Sequence, residues 1–139
     1  TRKSLCVLDL DTVMPSSPLY DYGDSIRFGA ASAAEDEQDL SKMELDLHLF
    51  EVYTRGYLEA ATALTDTEIA MLPMGALAVT LELATRFLKD HLDGDRYFKT
   101  AYPGHNLVRA RTQMKLAYDM QQKWENMNRI VATVARQVR

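Results

Sequence analysis

Four carboxylates crowd the first stretch of the chain. Asp9 and Asp11 end an apolar run, Ser4-Leu-Cys-Val-Leu-Asp-Leu-Asp11, and Asp21 and Asp24 follow within Tyr20-Asp-Tyr-Gly-Asp-Ser-Ile-Arg27. Residues two apart in a strand leave by the same face, so a strand over the apolar run sets Asp9 and Asp11 side by side. Two such groups repel unless a proton or a cation lies between them. Oxygen-only ligands suit a hard divalent ion, and magnesium typically takes one or two carboxylates together with phosphate oxygens. The plainer alternative is a strand whose acidic end is simply solvated.

The elements that would position these groups are mostly helical. Pro15-Ser-Ser-Pro18 reads as a turn, because each proline fixes φ and pushes the preceding residue out of the helical region. A short helix follows over Tyr20 to Phe28, ended by Gly29, and the acidic stretch Ala30 to Gln38 reads as a solvated loop. Phe50, Tyr53, Tyr57, Leu58 and Ala61 recur at helical spacing, which predicts a helix over about Leu45–Ala61. Thr65-Asp-Thr-Glu68 is a capping box that starts a third helix. That helix runs to about Leu92, with Pro73 expected to break or kink it. Its apolar segment from Ile69 to Leu81 suits the middle of a bundle. After Asp93-Gly94 and Pro103-Gly104, one long helix is expected from near Asn106, which would cap it. Its stripe is Leu107, Ala110, Met114, Ala117, Trp124, Met127, Val131, Val134 and Val138. Short β-like pieces at Thr12–Met14 and Met43–Leu45 add a hairpin at the N-terminal edge, with Cys6 as a small buried strand residue. The expected fold class is mainly α. A lone two-stranded hairpin is marginal in water, so the chain reads as a fragment or as one that finds its strand partners elsewhere.

Composition narrows the classes. The chain has 139 residues, 47% hydrophobic and 26% charged, in the range of one soluble domain. A net charge of −4 disfavours a nucleic-acid surface. The single cysteine cannot form an internal disulfide, which fits a reducing, cytoplasmic setting. No signal peptide is visible, and the Ile69–Leu81 run falls short of the roughly 17–25 residues a bilayer span needs. Neither a membrane nor a nucleic acid is therefore expected as a partner.

Asp9-Leu-Asp11-Thr-Val13 matches the first motif of haloacid-dehalogenase-type phosphatases, with Asp9 as nucleophile and Asp11 as acid/base. That fold needs further parallel strands downstream, where this sequence offers helices. A wider resemblance covers nearly the whole chain. Val7-Leu-Asp-Leu-Asp-Thr-Val-Met-Pro15 and Tyr20-Asp-Tyr-Gly-Asp-Ser-Ile-Arg-Phe-Gly29 resemble the aminoglycoside phosphotransferase and choline kinase-like superfamily, more narrowly the N-acetylhexosamine 1-kinases. Leu49-Phe-Glu-Val-Tyr53, Thr80-Leu-Glu-Leu-Ala-Thr-Arg-Phe-Leu88, Asp95-Arg-Tyr-Phe98 and Gly104-His-Asn-Leu-Val-Arg-Ala-Arg-Thr-Gln113 extend the likeness.

The resemblance implies the helical C-terminal lobe of a protein-kinase-like fold that uses ATP and Mg2+ and takes an N-acetylated hexosamine, or a similar small hydroxyl compound, as acceptor. Asp9 takes the place of the magnesium-binding Asp, Asp11 that of a second acid near the metal, and Asp21 that of a brace for the catalytic loop. Asp24, Phe28 and Arg86 match positions lining the sugar pocket. Without the resemblance, Arg86 reads as an i,i+4 partner of Glu82 and Phe28 as core. The superfamily's His-x-Asp motif, with an Asn five residues after the Asp, lies before the metal-binding strand. His48, His91 and His105 do not supply it. The nucleotide lobe and catalytic Asp are thus expected upstream, in the missing N-terminal part of the same protein, and the 139 residues alone are expected to be inactive. Apolar surface left bare by that part offers a route to dimerisation. A non-catalytic helical interaction module is the alternative from another class.

Overall fold

The Thr65–Glu68 capping box starts the longest helix of the molecule. The Thr65 backbone N–H donates to Glu68 Oε2 at 2.7 Å, and the Glu68 N–H donates back to Thr65 Oγ1 at 3.2 Å. The computed structural model describes Cys6 and residues 13–139. Among these, the chain forms α1 (Pro18–Gly29), α2 (Leu47–Ala60), α3 (Asp66–Leu92), α4 (His105–Gln122) and α5 (Trp124–Val138), with a 3-10 turn at Leu40–Lys42. A mainly helical fold is what the periodicity implied. The expected strand ending in Asp9 and Asp11 lies outside the described residues. Val13 and Met14, the described part of the expected Thr12–Met14 strand, are irregular and exposed. Met43–Leu45 does run extended, but its one antiparallel bridge joins Leu45 to Ala31.

Helix α3 is the axis of the bundle and packs against α1, α4 and α5. By length and composition it could cross a bilayer; in this fold its apolar residues Ile69, Leu72, Ala76, Leu77 and Ala84 are buried against neighbouring helices. It continues through Pro73 without a break. Proline denies the Ile69 carbonyl its usual N–H partner, and burial of this segment on several sides keeps the helix intact. The core gathers Tyr22 and Ile26 from α1, Phe50 and Leu58 from α2, Leu72 and Ala76 from α3, Leu116 and Met120 from α4, and Met127 and Val134 from α5. Tyr22 carries its hydroxyl into this core and hydrogen-bonds Thr54 Oγ1 at 2.7 Å. Burial pushes its phenol pKa well above the usual tyrosine range.

The expected single C-terminal helix is two. The chain leaves helical geometry at Lys123, whose ammonium binds Asp119 at 2.8 Å, Glu44 at 3.1 Å and the Leu45 carbonyl at 2.8 Å. The break lets α4 pack on α3 while α5 packs on α2 and α3. Met114, counted in the continuous stripe, is 52% exposed. Helix α4 begins after Gly104, whose φ of +81° suits glycine, and Asn106 is not its cap.

The acidic Ala30–Gln38 stretch is anchored rather than freely solvated. Glu35 pairs with Arg27, Asp36 with His105, and the Glu37 carbonyl accepts the Thr112 hydroxyl at 2.9 Å. His105 Nδ1 accepts the Ala101 N–H at 3.1 Å, so the ring proton sits on Nε2 and is donated to Asp36 Oδ2. Cys6, expected to be buried, is exposed.

Candidate functional site

Helices α1 and α3 meet through glycine. A Cβ on Gly23 would lie 2.5 Å from the Gly75 carbonyl oxygen and 2.9 Å from Val79 Cγ2. A Cβ on Gly75 would lie 2.7 Å from the Leu19 carbonyl oxygen. Only residues lacking Cβ allow this approach. Beside the contact is an open cavity of about 310 Å3, lined by Tyr20, Asp21 and Asp24 from α1 and by Val79, Glu82, Leu83 and Arg86 from α3.

The helical repeat explains the lining. Tyr20, Asp21 and Asp24 share the α1 face beside Gly23, and Val79, Glu82, Leu83 and Arg86 recur at three- and four-residue intervals on α3. Ser17 caps the start of α1, accepting the Leu19 N–H at 3.3 Å, and Pro18 occupies the first helical turn, where its missing N–H costs nothing.

Arg27 governs the α1 rim. It is 8% exposed, and its Nε donates to Asp24 Oδ1 at 2.8 Å while Nη1 donates to Glu35 Oε1 at 2.9 Å and to Gln113 Oε1 at 3.4 Å. Asp24 is therefore held in place from behind, with its side chain still 62% exposed. Asp21 is exposed at the cavity mouth. Nearby Tyr57 donates to the Pro18 carbonyl at 3.2 Å, and burial followed by the negative field of Asp21 raises its phenol pKa. On α3, Arg86 keeps the ion pair with Glu82 foreseen from spacing, at 3.8 Å. Its guanidinium carbon also lies 5.5 Å from the Phe98 ring centroid and 5.9 Å from that of Tyr97.

Of the residues singled out from sequence, the structure brings Asp21, Asp24 and Arg86 to this one cavity. It does not bring Phe28 there. Phe28 is 76% exposed, so it is not core either. It borders a neighbouring depression of about 200 Å3 with Arg27, Glu35 and Met43. Asp9 and Asp11 lie outside the described residues. Among the described residues no group of three or more His, Cys, Asp or Glu is placed to hold a metal, so the magnesium expectation stays with Asp9 and Asp11. A larger depression of about 540 Å3 between α3 and α5 is walled by Ile69, Val131, Ala132 and Ala135, with Asp66, Asn128, Arg136 and Arg139 also lining it, and its surface is mainly apolar.

Reasoning from sequence missed Arg27, Tyr20 and the aromatic floor under Arg86. Arg27 had one readable signal, an i,i+3 relation to Asp24 on a helix that also buries Tyr22 and Ile26. Tyr97 and Phe98 stood only inside the Asp95–Phe98 segment of the resemblance, with no role attached, since they come from an irregular loop that no periodicity describes.

The cavity can exchange hydrogen bonds with a polyol. Carboxylates accept from hydroxyl groups, a guanidinium donates to hydroxyl oxygens, and Val79 with Leu83 offers apolar contact to ring carbons. Three carboxylates against one guanidinium disfavour an acceptor that itself carries negative charge. No protein-family model matches the chain.

Proposed function

We propose that this chain is the C-terminal, acceptor-binding part of an ATP- and Mg2+-dependent small-molecule kinase whose acceptor is the anomeric hydroxyl of an N-acetylhexosamine. One observation supports the reading most: Asp24 and Arg86, assigned to a sugar pocket by resemblance and distant in sequence, line the same open cavity with Asp21. A second support is chemical. The cavity's hydrogen-bonding groups match a neutral polyol better than an anion.

In this reading Asp9 and Asp11 would hold the magnesium ion, which would neutralise phosphate charge on the nucleotide that donates the phosphoryl group. The acceptor hydroxyl is oriented by an Asp upstream of Thr1. The described residues do the binding. Asp24, fixed by Arg27, accepts hydrogen bonds from acceptor hydroxyls; Arg86 donates from the opposite wall; Asp21 borders the mouth where the catalytic loop would pack.

The test is ATP-dependent phosphorylation by the complete protein, with its upstream segment, across N-acetylglucosamine, N-acetylgalactosamine, an aminoglycoside and choline. Activity confined to the N-acetylated sugars is expected, and Asp9→Ala should remove nearly all turnover while leaving the thermal midpoint close to wild type. Arg86→Ala should raise the sugar KM about tenfold with a smaller change in kcat, the pattern of a lost binding contact. Phosphorylation of the aminoglycoside or choline instead would keep the kinase and overturn the acceptor. No phosphorylation of any of the four would overturn the reading.

A further inference from the structure

Arg86 is loosely tethered for a group that must orient a neutral ligand. Its side chain is 48% exposed and its ion pair with Glu82 is long. A solvated arginine on a helix surface samples many rotamers. What limits the guanidinium is aromatic: the rings of Tyr97 and Phe98 lie beneath it. Those two rings meet edge to face at 4.8 Å, and Phe98 packs on Phe87 of α3 at 4.6 Å.

The rings belong to the irregular loop between α3 and α4, and that loop is fastened by one carboxylate. Asp90 lies one helical turn beyond Arg86 on α3. Its Oδ1 accepts the N–H groups of Arg96 at 2.9 Å and Tyr97 at 2.8 Å, and its Oδ2 accepts that of Phe98 at 2.9 Å. Asn106 of α4 donates to Asp90 Oδ2 at 2.8 Å and to Asp95 Oδ1 at 2.9 Å. Asp90 and Asn106 are 5% and 0% exposed. Just before the anchored amides, Asp95 adopts a φ of +56°, a left-handed conformation that few residues other than glycine take. A carboxylate buried on four N–H donors has little capacity left for a ligand. Its position instead fixes the height of Tyr97 and Phe98 relative to the helix that carries Arg86.

We propose that Asp90, braced by Asn106, is a positioning residue for the acceptor cavity: by pinning the Tyr97–Phe98 loop it sets the direction in which Arg86 presents its guanidinium. The proposal rests on the sugar-kinase reading of that cavity. It assigns a role to a residue that touches neither the cavity nor the reacting atoms, and it predicts coupling to one residue, Arg86.

A double-mutant cycle in the complete enzyme separates this from a purely structural role. Asp90→Asn keeps the shape but turns an amide toward N–H donors. It should raise the sugar KM about fivefold, with kcat and the KM for ATP within about twofold of wild type. In an Arg86→Ala background the same change should shift the sugar KM by less than about twofold. Equal shifts in both backgrounds, or no shift in either, would overturn the proposal. Should Asp90→Asn fail to fold, Phe98→Leu serves in its place, since it keeps the backbone bond to Asp90 and removes a ring. A rise of about threefold that vanishes in the Arg86→Ala background is expected, and a rise that persists there overturns the idea. An unchanged sugar KM in Arg86→Ala alone would overturn the acceptor assignment and this proposal together. A normal Arg86→Ala effect beside a silent Asp90→Asn would overturn this proposal only.

Discussion

The α1–α3 pair contains two unlike regions within a few residues of each other. At the seam, Gly23 and Gly75 let backbone touch backbone and leave no room for a single added carbon. At the rim, Asp21, Asp24, Glu82 and Arg86 stand apart around open space. The seam is neutral, buried and intolerant; the rim is charged, exposed and tolerant. The contrast shows how a small bundle makes an open cleft without a hole in its core. The open cavity lies beside the close glycine contact and is lined by residues of the same two helices, so its geometry is tied to that contact. Changes at the seam should therefore act on stability and on the cavity together, whereas changes at the rim should act on binding alone.

The strongest way to break that contrast is to add a methyl group at the seam. Gly75→Ala would set Cβ against the Leu19 carbonyl at 2.7 Å, and Gly23→Ala would set it against the Gly75 carbonyl at 2.5 Å. Neither neighbour is the tip of a flexible side chain, so the helices must move apart. Overpacking of this kind typically costs about 1–3 kcal/mol, partly offset by the better helix propensity of alanine. Chemical denaturation should show a loss of about 2 kcal/mol for Gly75→Ala. A variant as stable as wild type would mean that the seam is not the clamp.

Arg27 stands between the regions, and its replacement should have an intermediate effect. Arg27→Met keeps much of the buried stem but leaves Asp24, Glu35 and Gln113 without their shared donor. Asp24 and Glu35 are 62% and 28% exposed, so water can replace part of what is lost. The expected destabilisation is about 1–2 kcal/mol, below the cost of stranding a fully buried charge. Arg86→Met, its counterpart on the rim, should stay within about 0.5 kcal/mol of wild type by the same measurement. Equal losses in the two variants would erase the distinction between a structural and a presenting arginine.

Much of the helical framework was readable because it rests on local chemistry. The Thr65–Glu68 box, the glycine ends and the spacing of Phe50, Tyr57 and Leu58 each follow from interactions within a turn or two. Where periodicity misled, tertiary contacts decided. Lys123 ends α4 because Asp119, Glu44 and the Leu45 carbonyl gather around its ammonium, and two of those three partners are far away in sequence. Asn106 resembles a cap and instead spends its amide on Asp90 and Asp95. The candidate site was half legible. Asp24 and Arg86 were named through resemblance, but their meeting depends on two glycines whose sequence signal is only the absence of a side chain. Phe28 shares the Asp24 face of α1 at i+4 but lies one turn further along, where with Arg27 it borders the neighbouring depression instead of the cavity.

Acid should sharpen the contrast most gently. The seam has no titratable group, whereas the helix starts and the loop beneath the rim rely on carboxylates. Burial works against the charge on Asp90, but the N–H groups of Phe98, Tyr97 and Arg96 more than offset it and hold its pKa below the usual carboxylate range. Glu68 is lowered by the backbone and then the hydroxyl of Thr65, and Asp46 by the Leu49 N–H first, against a smaller opposing effect of burial. A group whose folded pKa lies below its unfolded value contributes stability that is complete above the unfolded pKa. That contribution is lost as pH falls through the unfolded value toward the folded one. Stability should therefore be flat above about pH 5 and decline below about pH 4. Amide exchange should then show Arg96, Tyr97 and Phe98 losing protection at a higher pH than Gly75 in the seam and the core residues Leu72 and Ala76 beside it in sequence. Thr65→Ala should cost about 1 kcal/mol near neutrality and flatten a small part of the acid slope, since it removes the hydroxyl contact that helps depress the Glu68 pKa while the backbone N–H contact stays. Simultaneous loss of protection in loop and seam would mean that the two regions open as one unit, and that the rim has no stability of its own to titrate.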